Sequence, residues 1–158
     1  MYNERLVVYT SGTFDMFHSN HLKMIEYAFG LAGKEKTDGI LIVGVSTDEL
    51  VTSYKKPPII PFEERIAIIK ALKYPDIVIP QHSLDHSELV KKLNIDVFVV
   101  GDDWVGKYDY LKELGVTVFY FPRGEGASST NIKQQILKQY RETINKIDSQ
   151  PNPNVVKK

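Results

Sequence analysis

The chain has 158 residues, no cysteine and a formal net charge of zero, from 20 basic and 20 acidic side chains. This length suits one domain with its own hydrophobic core, and the lack of cysteine excludes disulfides, a cysteine nucleophile and a thiolate metal site. Zero net charge gives no overall attraction to nucleic acid or to a membrane surface. No apolar run approaches the roughly 20 residues of a membrane span. The first residues lack the apolar block of a signal peptide, so the sequence predicts a cytoplasmic protein.

Strand and helix patterns alternate along the chain. Short apolar runs rich in β-branched residues are typical of strands, and longer segments with apolar residues every three or four positions are typical of helices. The predicted strands are residues 6–9, 40–45, 76–80, 96–100 and 116–121. The predicted helices are residues 20–32, 61–72, 84–93, 108–114 and 129–147, and residues 30–39 include a polar loop.

This alternation predicts one α/β domain over residues 1–147, followed by a disordered tail at residues 148–158. We expect a Rossmann-like, doubly wound parallel sheet of five strands in the order 3-2-1-4-5. In that order the first and fourth strands flank the point where the winding reverses. Ligands bind at the carboxyl ends of such strands, so the loops that follow these two are expected to face each other across one site.

The loop after the first strand carries two histidines that flank a helix start. His18 and His21 are three residues apart, and Asn20 between them is a suitable N-cap whose side chain turns outward to the first turn. A glycine turn at Gly12 followed by a helix start points free backbone N–H groups at an anion, which predicts a phosphate site. A metal site is the alternative for the two imidazoles, but no further ligands complete one at a suitable spacing.

The loop after the fourth strand reads Gly101-Asp102-Asp103-Trp104. Its functional interpretation is that a carboxylate or backbone group reads the edge of a base, while the tryptophan forms part of the pocket wall. The alternative is a solvated turn with an anchoring tryptophan.

Other polar segments are weaker candidates. Residues 123–131 combine Arg123, glycines and hydroxyls ahead of the last helix, the composition of a second phosphate site, although a serine there more often only caps the helix. Lys55-Lys56 follows the second strand, where solvated charges on an exposed loop are the better interpretation. His82 and His86 are interpreted as surface or substrate-rim residues.

These segments carry a resemblance to a known family. Gly12-Thr13-Phe14-Asp15 followed by His18-Ser19-Asn20-His21 is similar to the GTFDxxHxGH signature of the cytidylyltransferase-like nucleotidyltransferases, with Asn20 where that signature has glycine. The segment RGEGASST, from Arg123, is similar to the family's RTEGISTT, with Gly124 and Ala127 substituted. With GDDW between them, the chain resembles the bacterial glycerol-3-phosphate cytidylyltransferases of this superfamily to about residue 140.

The resemblance implies that CMP moves from CTP to a small alcohol phosphate, such as glycerol 3-phosphate, with release of pyrophosphate. It also implies Mg²⁺ carried with the nucleotide, a homodimer, and no nucleic acid or membrane partner. The implied catalytic residues are His18, His21, Lys56 and Arg123. The implied nucleotide-binding residues are Gly12, Thr13, Phe14, Gly101, Asp102, Ser128, Ser129 and Thr130. The implied acceptor-binding residues are Asp15, Arg65 and Lys55.

Two alternative functions remain open at this point. The segment SSTNI, from Ser128, is also similar to sugar-phosphate adenylyltransferases of the same superfamily, so ATP is an alternative donor, with a sugar or cofactor phosphate as acceptor. Asn20 motivates the other alternative, a nucleotide-binding regulatory protein with weakened catalysis. Turnover with each triphosphate separates these alternatives.

Overall fold

The computed structural model describes residues 5–33 and 38–149. The chain forms two compact units, one ending at Gly126 and the other starting at Ala127. The first unit is built on a five-stranded parallel sheet in the order β3-β2-β1-β4-β5. The predicted α/β fold and strand order are therefore confirmed. The prediction of one domain over residues 1–147 stays a prediction.

The elements follow the predicted alternation with small shifts at their ends. The strands are β1 (Val7–Gly12), β2 (Ile40–Ser46), β3 (Ile77–Gln81), β4 (Val97–Gly101) and β5 (Thr117–Phe121). The α-helices of the first unit are α1 (Ser19–Leu31), α2 (Asp48–Thr52), α3 (Phe62–Ala71) and α4 (Ser87–Leu93). Two 3₁₀ helices lie at Asp102–Trp104 and Asp109–Leu114, and α5 (Ser129–Asp148) belongs to the second unit.

Some boundaries differ from the sequence prediction. Helix α4 begins at Ser87, three residues later than predicted, and the short helix predicted at 108–114 is a 3₁₀ helix. Within the predicted polar loop, residues 34–37 lie outside the described residues, and Leu31 still belongs to α1. Most of the predicted tail, residues 150–158, also lies outside them. No helix in the described parts of the chain is long and apolar enough to cross a membrane.

Both faces of the sheet are buried, because alternate side chains of each strand point to opposite sides. One face packs against α1 and α3, which contribute Ile25 and Ile69 to its core. The other packs against α4 and the second 3₁₀ helix, which contribute Val90 and Leu111. This double covering explains why the central strands appear in the sequence as continuous apolar runs rather than as alternating ones.

Two aspartates fix the strands at the amino-terminal edge of the sheet. The Asp96 carboxylate accepts the Val7 N–H at 2.8 Å, while the Asp96 N–H donates to the Val7 carbonyl at 2.9 Å. Asp76 makes the same pair of bonds with Leu41, at 2.8 and 2.9 Å. Each aspartate thus fixes the register of its strand against the neighbouring strand, and the opposite, carboxyl edge is where the chain departs into long loops.

Candidate active site

The loop between β1 and α1 is tightly folded. Phe14 and Met16 have φ angles of +54° and +48°, a region that side chains other than glycine rarely occupy. The Phe14 ring folds back over Gly12, where an added Cβ would lie 3.2 Å from it. Holding two such residues costs on the order of 1–3 kcal/mol each. The surrounding contacts therefore have to impose this loop shape, and Gly12 is needed for it.

The two histidines stack on each other at the start of α1. Their ring centroids are 3.7 Å apart with 23° between the planes. The His18 N–H donates to Nδ1 of His21 at 3.3 Å, so a neutral His21 ring carries its proton on Nε2. The N-cap position belongs to His18, and Asn20 is the second helical residue. The prediction that Asn20 caps this helix is therefore wrong.

Both histidine rings are held in the neutral form. Burial, with smaller effects from His18 and Lys55, lowers the pKa of His21 to about 3, although Asp15 opposes these effects. Burial also lowers the pKa of His18, and the positive charge of Arg123 adds to that effect. Neutral imidazoles retain one N–H each at neutral pH, so the pair can donate hydrogen bonds to an oxyanion without itself carrying charge.

The structure brings Arg123 and the loop after β4 to the histidines. The Asp102 carboxylate accepts the Arg123 N–H at 2.9 Å, and the charge of Arg123 acts on His18. Gly101 ends β4, where an added Cβ would lie 2.6 Å from the Asp103 carboxylate oxygen, so a larger residue would displace that side chain. The residues predicted after the first and fourth strands therefore share one edge of the sheet.

Trp104 and Lys55 approach the same edge through Tyr54. The Trp104 and Tyr54 rings meet edge to face with centroids 5.7 Å apart, and the Lys55 ammonium lies 5.4 Å from the Tyr54 ring centroid. The Tyr54 hydroxyl is hydrogen-bonded to the Thr13 side chain. Lys56 is exposed on the turn that follows. Of the two lysines, Lys55 is the one whose charge reaches His21.

Arg65 does not have the predicted role at an acceptor phosphate. Only 1% of its surface is exposed. Its guanidinium donates to the protein itself, at 2.7–2.8 Å, through bonds to the carbonyls of Ile60, Thr13 and Ser46 and to the carboxylate of Asp48. Because these bonds engage both terminal nitrogens and Nε in the interior, the residue ties loops together instead of binding substrate.

Asp15 is likewise a structural residue. It is 4% exposed, and its two carboxylate oxygens accept the N–H groups of Ile59 and Ile60, each at 2.9 Å. The prediction that it contacts the acceptor is therefore wrong. No local pattern reveals these partners, because about 45 residues separate Asp15 from them along the chain.

Sequence reasoning missed a cavity of about 500 Å³ beside Trp104. Its lining includes Asp85, Lys107, Tyr108 and Tyr110. The Tyr110 hydroxyl donates to Asp85 at 2.9 Å, and the Lys107 ammonium lies over the Trp104 ring at 5.1 Å. The available signal was the density of aromatic and charged residues between positions 104 and 110. The cavity offers a cation, a carboxylate and hydroxyls next to an aromatic wall.

His86 is a core residue, contrary to its prediction as a surface or rim residue. It is 1% exposed, and its ring packs against those of Tyr9, Phe98 and Tyr108, with centroids 5.4, 5.0 and 5.2 Å away. Burial lowers its pKa to about 4, and Nε2 has no hydrogen-bond partner among the described residues. His82 is exposed, as predicted.

In the second unit, Ser128 caps α5. Its hydroxyl accepts the Asn131 N–H at 3.0 Å, which confirms the capping interpretation of this serine. Ser129 and Thr130 are the first helical residues, and their binding of phosphate stays a prediction. Within residues 5–33 and 38–149, no group of three or more His, Cys, Asp or Glu side chains is arranged to hold a metal ion.

Comparison with known proteins agrees with this geometry. The cytidylyltransferase-like family model matches residues 9–135. A glycerol-3-phosphate cytidylyltransferase from Bacillus subtilis (strain 168) is 40% identical over 82% of this chain and 95% of its own length. An FAD synthase from Korarchaeum cryptofilum is 37% identical over 84% of this chain and 92% of its own.

Among solved structures, a lipopolysaccharide core biosynthesis protein from Thermoplasma volcanium is similar with a TM-score of 0.61 and 25% identity. The match covers 77% of this chain and 98% of that one. The family match spans β1 to the first part of α5, and so includes the histidine pair, the loop after β4 and Arg123. The chain belongs to the cytidylyltransferase-like family of nucleotidyltransferases.

Proposed function

We propose that this protein transfers CMP from CTP to glycerol 3-phosphate and releases pyrophosphate. The observation that carries the proposal is the stacked, neutral pair of His18 and His21 at the start of α1, with Arg123 beside it. The choice of donor and acceptor is supported by the relative from Bacillus subtilis, a glycerol-3-phosphate cytidylyltransferase that aligns over 95% of its length.

The reaction depends more on positioning of the two substrates than on acid–base catalysis. An oxygen of the acceptor phosphate attacks the α-phosphorus of CTP, one P–O bond forms, and the bond to the pyrophosphate oxygen breaks. The acceptor phosphate is already ionised near neutral pH, so no strong base is needed. Catalysis then depends on in-line alignment and on donors aimed at the charge that shifts to the leaving group.

The histidines supply such donors. The Nε2–H of His21 is fixed by the bond that its Nδ1 accepts, and its ring is oriented by Phe14 and Phe17, each with its centroid 5.5 Å from that of His21. A depressed pKa keeps this ring a neutral donor over the working pH range. His18 donates alongside it, and the guanidinium of Arg123 neutralises charge on the leaving pyrophosphate.

The remaining contacts follow from the loops around the pair. Thr13 and the backbone at Phe14 hold phosphate oxygens, and Lys55, with Lys56 next to it, covers the triphosphate. We infer that Mg²⁺ enters with the nucleotide, whose oxygens are ligands that it prefers. The nearby carboxylates Asp15 and Asp102 both accept backbone N–H groups, which suits a metal held mainly by phosphate.

We assign the glycerol end of the acceptor to the cavity beside Trp104. Lys107 provides a cation there, and Asp85, whose Oδ1 accepts from Tyr110 and Ser87, offers its Oδ2 to a glycerol hydroxyl. This assignment replaces Arg65, whose donors are engaged inside the protein. A cytoplasmic location belongs to the same proposal, because CTP is available in the cytoplasm. The homodimer that the resemblance implies is also part of the proposal.

Pyrophosphate release tests this function. CTP and ATP are each supplied with glycerol 3-phosphate, phosphoethanolamine, a sugar phosphate, a cofactor phosphate or no acceptor, with the His21→Ala protein as the blank. We expect kcat/KM with CTP and glycerol 3-phosphate to exceed every other combination by about tenfold or more. Equal or faster turnover with ATP would establish the adenylyltransferase alternative, which the 37% identical FAD synthase favours. CTP binding without any turnover would establish the regulatory alternative.

A further inference from the structure

Asn20 and Gly124 contact each other at the entrance to the site. Asn20 is the second residue of α1, and Gly124 lies in the loop after β5. A Cβ added to Gly124 would come within 2.8 Å of the Asn20 Oδ1 and 3.6 Å of its Cγ. The carboxamide of Asn20 therefore occupies the space that any side chain at position 124 would need.

These two positions are among those where the chain departs from the two motifs that it resembles; Ala127 and Ser129 are other departures. The histidine motif has glycine where this chain has Asn20, and the arginine motif has threonine where this chain has Gly124. The fold brings the two departures into contact. The Asn20 side chain therefore lies in the space beside Gly124.

The segment that Asn20 touches carries Arg123. The backbone N–H of Arg123 is held by the Asp102 carboxylate at 2.9 Å, and the next residue abuts the Asn20 side chain. Two polar side chains therefore lie against this segment: Asp102 from the loop after β4, and Asn20 from α1. Asn20 and Asp102 are therefore both next to the segment that carries Arg123.

We propose that Asn20 is a positioning residue for Arg123, and that Asn20 and Gly124 function only as a pair. The proposal rests on the proposed function, since Arg123 acts there on the leaving pyrophosphate. Oδ1 ends a side chain that can rotate, so a side chain at position 124 displaces the carboxamide without breaking the fold. The effect is then on triphosphate binding, while thermal stability changes little.

A four-protein cycle tests the pair: wild type, Asn20→Gly, Gly124→Thr and the double variant. We expect each single change to raise the KM for CTP by about three- to tenfold, with kcat less affected. The double variant restores the filled volume and returns the KM to within about threefold of wild type. Melting temperatures of all four proteins are expected to agree within about 4 °C.

Gly30→Thr provides the matched control, because an added Cβ at Gly30, also on α1, meets nothing within 4 Å. In the protein that carries both Gly30→Thr and Asn20→Gly, the change in the KM for CTP should equal the product of the two single changes. The proposal is overturned if the KM of the Asn20→Gly, Gly124→Thr double variant changes by the product of the two single changes. It is also overturned if activity falls only in variants whose melting temperature falls. If wild type binds CTP without turnover, calorimetric dissociation constants over the same cycle decide the pair, and the failure then concerns the proposed function alone.

Discussion

His18 and His21 combine two properties that sequence spacing alone does not supply. Their rings stack at 3.7 Å, so both imidazoles face one side of the α1 start. Burial is the largest cause of their low pKa values, and neighbouring basic groups add to it. A neutral donor is useful beside a triphosphate because it stabilises developing negative charge without a proton having to leave or arrive.

Replacing either ring is expected to remove transition-state stabilisation and leave the fold intact. His18→Ala and His21→Ala should each lower kcat/KM by about a hundredfold or more, the size of effect seen when one oxyanion donor is removed. His82→Ala, at an exposed histidine, serves as the control and should retain full activity. Steady-state kinetics with circular dichroism separates the two effects, and full activity in both active-site variants would remove the pair from the mechanism.

His86 has the opposite role, as a titratable group inside an aromatic core. Its pKa is lowered from 6.5 to about 4 by burial. Between these two pH values the unfolded chain binds a proton that the folded protein refuses, so stability rises with pH across the window and is lost as pH falls through it. Each such group contributes a slope of about 1.4 kcal/mol per pH unit.

The variant His86→Phe is expected to flatten that dependence. Urea unfolding at pH 7, 6, 5 and 4.5 should show wild type losing stability more steeply than the variant, by about 1.4 kcal/mol per pH unit within the window. His21, whose pKa is about 3, keeps part of the slope in both proteins. Identical slopes would mean that His86 is solvated or already protonated in the folded state.

At the scale of elements, Arg65 organises the carboxyl edge of the sheet. From α3 it donates to the loop after β1, to the last residue of β2 and to α2. Three carbonyls and a carboxylate surround one buried cation. Removing the cation would take a charged donor from three backbone carbonyls, while the Asp48 carboxylate, 45% exposed, remains accessible to water.

Arg65→Met keeps the apolar stem and removes the donors. We expect it to lower the free energy of unfolding by about 2–4 kcal/mol, because buried carbonyls lose their charged donor while Asp48 stays accessible to water. Lys70→Met, an exposed position on the same helix, is the control and should stay within about 0.5 kcal/mol of wild type. Denaturant titration measures both, and a loss below about 1 kcal/mol would show that water replaces the guanidinium.

The sequence predicted the elements and their order because those depend on local pattern. Apolar runs and helical spacing determine the strands and helices, and the winding rule then places the loops after β1 and β4 together. The wrong predictions concern residues whose burial and hydrogen bonds are determined by contacts between distant parts of the chain. The resemblance implies ligand roles for Arg65 and Asp15, yet most of their partners are distant in the chain. His86 looked exposed because burial by Phe98 and Tyr108 has no signature near it.

At the scale of the whole molecule, the last helix extends beyond the residues that the family model matches. The family model stops at residue 135, whereas α5 continues to Asp148. The exposed apolar residues of α5 all lie beyond the matched segment: Ile136, Leu137, Tyr140, Ile144 and Ile147. The chemistry proposed above depends on the matched segment, so this chain carries an additional amphipathic stretch that the shared reaction does not explain.

The residues that bond to the Arg65 guanidinium are synthesised in a fixed order, because a ribosome makes the chain from its amino terminus. Every acceptor of the guanidinium, from Thr13 through Ser46 and Asp48 to Ile60, precedes the arginine. A nascent chain that stops short of residue 65 therefore holds all the acceptors and no donor. The loop after β1 and the end of β2 therefore lack this connection until residue 65 has been made, and one side chain then joins them.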